Sequence, residues 1–368
     1  MMSVPPFSVL ALDRARVLRL ADEALKQAPI TVTASHSPRS AGGRHDFFSE
    51  GDYWWPDPKE ASAPYVQQDG KTNPDNFAAH RQAMVRFSQI VAALVAAFRI
   101  TEDRKYAAQA VTHLRAWFVD EATRMNPSLL YAQAIRGRFT GRSIGIIDTI
   151  HLIEVARATQ ILQQHSAIPT AARTAIHGWF RDYLHWMTTH PYGLDEKNNG
   201  NNHSTCWTMQ VAAFASLVND GAKMDECRQF YKKTLLPGQM DSDGSFPREL
   251  KRTKPYGYSL FNLDAMATVC QLLSTPTDSL WDHATSDGRN LRKGAEFLFP
   301  FIADKRKWPY AHDVMFWEFW PVRSPALLFA GLAYKEKGYL DLWRTLDPDP
   351  TNPEVLRNLP LRQPVLWV

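Results

Sequence analysis

Lys197-Asn198-Asn199-Gly200-Asn201-Asn202-His203-Ser204-Thr205-Cys206-Trp207 ends a polar stretch and opens an apolar one, for Met209, Val211, Ala212, Ala213, Phe214 and Leu217 follow at helical spacing. Asn and Gly disfavour helix interiors. The cluster therefore reads as a loop that stops where a helix starts, capped by Asn202 or Ser204. A histidine and amide side chains at a helix N-terminus offer a seat for an anion, because the free backbone N–H groups and the helix dipole point the same way. A polar loop with a good cap would look the same locally, so the rest of the chain has to decide.

On both sides the chain repeats this alternation of polar loop and apolar-periodic run. Helices are expected at about 11–27, 76–99 (capped by Asp75 or Asn76), 102–119, 144–164, 170–188, 205–219, 223–235, 259–273, 288–302 and 325–337. Period-2 runs and hairpin turns are sparse. The pattern points to an all-α fold, a toroid of antiparallel helical hairpins with function on the loops of one rim. No strict repeat supports a regular solenoid, and composition marks no boundary, so residues 1–368 are expected to form one domain. The helix-free region 28–73 carries too many aromatics for disorder and reads as an ordered lid. The proline-rich tail, 347–368, is expected to pack across the body.

Composition narrows the function. The chain has 368 residues, 45% of them hydrophobic, enough for a large core. Its net charge of +4 is spread without blocks, so nucleic acid is not an expected partner, whereas a basic groove for an acidic polymer is compatible. The 12 tryptophans include several in loops with tyrosines (Tyr53, Trp54, Trp55, Tyr65, Trp308, Tyr310, Trp317, Trp320), where they can plug a core or stack on sugar rings. Cys206, Cys227 and Cys270 stand singly in expected helices as buried free thiols, with no zinc spacing. No apolar run of about 18 residues suggests a membrane span. The first dozen residues show no signal peptide.

A second segment carries chemistry. Arg248-Glu249-Leu250-Lys251-Arg252-Thr253-Lys254-Pro255-Tyr256-Gly257-Tyr258 sets four cations, one carboxylate and two tyrosines just before a helix. Nearby arginines stabilise a phenolate, which would lower a tyrosine pKa toward use as a base. A polyuronate β-eliminase needs fixed donors on the substrate carboxylate, a base for the C5 proton and an acid for the leaving oxygen. Asn202, His203 and an arginine meet the first need, and Tyr258, helped by His203, the others. No metal ligand set and no cofactor motif is visible.

Asn201-Asn202-His203, then Asp243-Gly244-Ser245-Phe246-Pro247-Arg248-Glu249-Leu250-Lys251-Arg252 and Tyr258-Ser259-Leu260-Phe261-Asn262-Leu263, together resemble the alginate lyase superfamily. Glu50-Gly51-Asp52-Tyr53-Trp54-Trp55-Pro56-Asp57-Pro58, Gly141-Arg142 with Ile144-Gly145-Ile146-Ile147-Asp148, and Glu354-Val355 with Arg357-Asn358 resemble bacterial members. The resemblance implies an (α/α) toroid and cleavage of alginate or glucuronan by metal-independent β-elimination. It implies that Asn202, His203 and Arg252 neutralise the uronate carboxylate while Tyr258 transfers the proton, with Tyr256 as the other candidate. Trp54, Trp55, Arg142, Asn201, Arg248, Glu249 and Tyr256 are the candidate substrate-binding residues. The expected partner is an anionic polysaccharide, met by a monomer outside any membrane, and that substrate class implies a periplasmic or secreted enzyme. Two other readings compete. A hydrolase would need two carboxylates roughly 5–9.5 Å apart, drawn from Asp57, Asp243 and Glu249, the last held ionised by its cations; a non-catalytic binder would yield no product.

Overall fold

Runs that are apolar all round become inner helices, and runs with one apolar stripe become outer ones. In a computed structural model describing residues 7–60 and 62–368, the helices are α1 (Val9–Ala24), α2 (Ala79–Thr101), α3 (Arg104–Phe118), α4 (Leu152–Gln164), α5 (Thr170–Thr189), α6 (Pro191–Lys197), α7 (Asn202–Val218), α8 (Gly221–Phe230), α9 (Leu236–Gln239), α10 (Pro247–Leu250), α11 (Pro255–Leu273), α12 (Leu291–Ala303), α13 (Pro325–Ala333), α14 (Lys337–Thr345) and α15 (Pro353–Arg357). Helices α2, α4, α7, α11 and α13 pack side by side in that order, with α1, α3, α5, α8, α12 and α14 against their outer faces. This is an (α/α) toroid. Every residue of α7 from Ser204 to Ala215 is buried, whereas α14 buries Tyr339, Leu340 and Trp343 and turns Lys337 and Arg344 outward. Each fully buried Leu, Val or Phe contributes about 1.5–3 kcal/mol over an exposed one.

Helix α2 is long and apolar enough by length and composition to cross a membrane, but 72% of its apolar window is buried inside the protein. It is a core helix. The tail packs as expected, since the turn Pro364–Leu366 lies against α1, α2 and α4, and Glu154 of α4 accepts the backbone N–H groups of Arg362 and Gln363. All three cysteines are free and buried. The lid region is more structured than its sequence suggests. β1 (Phe48–Glu50) pairs in parallel with β4 (Tyr131–Ala134), and β2 (Trp54–Trp55) pairs antiparallel with β3 (Val66–Gln67).

Three inner helices begin where a carboxylate from elsewhere caps them, and in α7 and α11 this shifts the expected start. Helix α7 starts at Asn202, with Asn201 rather than Asn202 or Ser204 as its cap, and Glu249 accepts the Asn202 N–H at 2.8 Å. Helix α11 starts at Pro255, ahead of the expected Ser259, because Asp313 accepts the N–H groups of Tyr256 and Gly257 at 2.9 Å each. Asp264, inside α11, accepts the Ala326 N–H at the start of α13. Helix α2 instead starts later than expected, at Ala79. Asn76 is drawn away to donate to the carbonyls of Gly51 and Trp54 in the lid, and Glu50 takes the Phe77 N–H. The run expected to reach 337 breaks at Lys335, whose φ is +56°, and α14 follows.

Burial pushes the Asp264 carboxyl up to about 7. A folded pKa above the unfolded value means that the native state holds the proton more tightly, so this group's stabilisation is complete below about pH 4 and is lost as pH rises through about 7. Three pKa units correspond to about 4 kcal/mol. Asp264→Asn keeps an acceptor for Ala326 and has no charge to bury. Its melting temperature relative to the parent is expected to rise between pH 5 and pH 7 and to level off above that; a difference that does not vary with pH would refute the assignment.

Candidate active site

The start of α7 supplies the first wall. Asn201 Oδ1 accepts the His203 N–H at 3.0 Å, and the Ser204 hydroxyl accepts the Gly200 N–H at 2.6 Å. The helix N-terminus is not an open anion seat, because Glu249 fills it. Its two oxygens take the Asn202 N–H at 2.8 Å and the Asn202 Nδ2–H at 2.7 Å. Burial raises the Glu249 pKa against the pull of these donors, the reverse of the expectation that neighbouring cations would dominate. The Asn202 amide keeps a second N–H for the cleft. His203 Nδ1 lies 2.7 Å from Glu196 Oε1.

The segment leading into α11 supplies the second wall. With the helix starting at Pro255, Tyr256 and Tyr258 fall in its first turn but about 200° apart around the axis. Tyr256 is fully buried, stacks edge-on with Trp308, and donates its hydroxyl to the Phe301 carbonyl at 3.0 Å. Tyr258 faces the cleft. The Arg252 guanidinium sits 4.6 Å from the Tyr258 ring centroid, with Nη2 3.5 Å from the Tyr258 oxygen.

The lid closes the third side. Tyr53 and Tyr258 share a hydroxyl–hydroxyl hydrogen bond of 2.6 Å. Asp69 holds the Arg252 fork, Nη2 to Oδ1 at 2.8 Å and Nε to Oδ2 at 3.3 Å, and accepts the Thr253 hydroxyl at 2.9 Å. Gly70 has φ +76° and lies so close that a Cβ there would stand 2.3 Å from the Thr253 hydroxyl, so only glycine lets the lid tip seat. Burial and the Tyr53 hydroxyl hold the Tyr258 phenol well above its ordinary pKa, and Arg252 offsets only part of this. The expected lowering by arginines is therefore overturned, because desolvation of the phenolate outweighs one guanidinium. Below the pair runs a chain of ions. Lys254 bonds Glu354 at 2.5 Å, Arg357 bonds Glu354 at 3.3 Å and Asp52 at 2.9 Å, and Arg81 bonds Asp52 at 2.7 Å and Asp148 at 3.2 Å.

The alginate lyase family model matches residues 31–308. The chain belongs to the alginate lyase family. It is a polysaccharide lyase. An alginate lyase from Bacteroides ovatus is similar at 29% identity, with 98% of this chain and 94% of that one covered and a TM-score of 0.82. Alginate lyase A1-III from Sphingomonas species A1 shares the fold at 17% identity, 98% and 95% coverage and a TM-score of 0.61. A form of A1-III complexed with a tetrasaccharide gives 16%, 96% and 93% coverage, and a TM-score of 0.62. No curated protein matches the chain.

In this lyase, Asn202, His203, Arg252 and Tyr258 line one cleft with Trp54 and Arg142. Arg142 donates to the Gln133 carbonyl at 2.8 Å and lies 5.7 Å from the Trp54 ring, and burial lowers its pKa only to about 10, so it stays charged. The other sequence candidates stand back from the cleft. Asn201 is the helix cap, Glu249 the buried brace on Asn202, and Tyr256 a core residue. Trp55 donates to the Lys71 carbonyl within the lid. Arg248 is exposed and reaches the Asn199 carbonyl at 3.4 Å. Of the acids a hydrolase would use, Asp57, Asp243 and Glu249, none lines the cleft. Sequence reasoning missed Gln133, Asn358 and Arg357 on the cleft wall, Asp69 behind Arg252 and Glu196 behind His203. Tyr53 and Arg357 did stand inside the quoted family segments, whereas Glu196 precedes the Asn/Gly loop without any local signal.

Proposed function

We propose that this lyase cleaves alginate or a related polyuronate by β-elimination with no metal taking part. One observation carries the reading: Asn202 and His203 from one segment, and Arg252 and Tyr258 from another, line a single cleft. Donors from Asn202 and Arg252 face the uronate carboxylate and stabilise the enolate charge that develops when C5 loses its proton, with the His203 ring beside C5. The Tyr258 phenolate, formed by releasing its proton through Tyr53, takes the C5 proton. The C5–H electrons form the C4–C5 double bond, the C4–O bond breaks, and Tyr258 returns the proton to the leaving oxygen, which regenerates the phenolate. Trp54 and Arg142 support the neighbouring sugar by stacking and charge. Incubation with polymannuronate, polyguluronate, glucuronan and hyaluronan is expected to raise ultraviolet absorbance on at least one uronate polymer, through the conjugated unsaturated product, and a chelator is expected not to change the rate. New reducing ends without new absorbance would instead select hydrolysis.

Asp69 competes with substrate for Arg252 in this reading. Both side chains are 29% exposed, so the pair is worth about 1 kcal/mol or less and is readily exchanged for a substrate carboxylate. Asp69→Asn is expected to lower KM by up to about fivefold, with kcat within twofold of the parent by initial rates. An unchanged or higher KM would show that Asp69 does not compete.

A further inference from the structure

Helix α6 delivers a buried acid behind His203. Glu196 lies in its last turn, is fully buried, and places Oε1 2.7 Å from His203 Nδ1. Its other oxygen, Oε2, is buried with no hydrogen-bond partner among the described residues. A buried carboxylate ordinarily gathers donors on both oxygens, and one left bare calls for an explanation. The Glu196 carbonyl also accepts the Asn199 N–H at 3.3 Å and the Ser204 hydroxyl at 3.4 Å, so the acid is tied to the loop that carries the histidine. The His203 side chain is 16% exposed and lies on the cleft wall. With Nδ1 taken by the acid, Nε2 is the ring atom left for a ligand.

We infer that Glu196 is a positioning residue for His203: it keeps the hydrogen on Nδ1 and aims Nε2 at the uronate in the cleft. An ionised carboxylate only accepts, so it selects the ring state in which Nδ1 donates. The bare Oε2 follows from the same role, because the acid is buried to serve one ring nitrogen. The inference rests on the lyase reading above, but the ring state can be measured without substrate. In protein labelled with nitrogen-15 in histidine, His203, assigned by its loss in His203→Ala, is expected to show a protonated Nδ1 whose hydrogen exchanges slowly. Glu196→Gln keeps the shape, but its amide can donate as well as accept. It is expected to mix the ring states and lower kcat by about tenfold or more, with KM within threefold and an unchanged unfolding midpoint. Glu196→Asp, which keeps the charge, is expected to recover part of the loss. An unprotonated Nδ1 in the parent protein would overturn the inference, as would a Glu196→Gln enzyme with parental kcat. A parent inactive on every uronate polymer would refute the lyase reading, while the nitrogen spectrum would still decide the Glu196–His203 contact.

Discussion

Tyr258→Phe is expected to lower kcat by about 10²–10⁴-fold, the range spanned by a single general acid–base group. KM should stay within a few-fold, because the ring and its packing against Arg252 remain. The lost oxygen is the one that bonds Tyr53 at 2.6 Å and accepts a long contact from Arg252 Nη2 at 3.5 Å, so the fold loses these contacts on the cleft wall and no buried ion. The parent's pH profile carries a second part of this prediction. Burial holds the Tyr258 phenol well above its ordinary value. If the phenolate is the base, its population rises about tenfold per pH unit below that pKa. The parental kcat/KM is therefore expected to climb with pH on the alkaline side, and the residual activity of Tyr258→Phe to lose that climb. Tyr53→Phe should give a smaller loss and move the limb to lower pH, since the Tyr53 hydroxyl contributes to the raised value. A Tyr258→Phe enzyme with parental kcat would remove the tyrosine from the proposed mechanism.

Arg357→Ala is expected to have the largest effect on stability. Arg357 lies between Asp52 and Glu354, at 2.9 and 3.3 Å, and all three side chains have little exposure. Removing one member of a buried ion set leaves charges without partners, which costs about 3–5 kcal/mol. Asp52 would keep Arg81, but Glu354 would keep only Lys254. The chain of ions joins the lid, the start of α2, the approach to α11 and the tail, and its Lys254 lies 5.0 Å from the Tyr53 ring, so activity should fall with stability. Arg357→Lys, which keeps the charge but not the two-pronged geometry, should recover part of the loss. Denaturant titration of the three proteins checks the order. A loss below about 1 kcal/mol in Arg357→Ala would mean that water or a shifted side chain replaces the guanidinium.

How legible these features were in the sequence depended on the range of the interaction that makes them. Helix α7 was visible because Cys206 to Leu217 is apolar at helical spacing and needs no partner to be recognised. Asn202, His203 and Tyr258 were visible as residue types whose chemistry fits one reaction, and Arg252 through the family resemblance. The starts of α7 and α11 were not, because Glu249 and Asp313 reach them from other segments and leave no local trace. That hidden capping decided between the two tyrosines. Once Asp313 starts α11 at Pro255, helical geometry turns Tyr256 into the core and Tyr258 into the cleft.

By itself the sequence determined an all-α chain of helical hairpins, a structured aromatic lid and two polar segments suited to lyase chemistry. These follow from local periodicity and residue type, which the chain carries wherever it folds. Only the tertiary structure decided that the α7 N-terminus is filled by Glu249, that Tyr258 keeps its proton tightly, that Asp69 sits on Arg252 and that Glu196 stands behind His203. Each of these is set by burial or by a contact between residues far apart in the chain, and neither exists until the helices have packed.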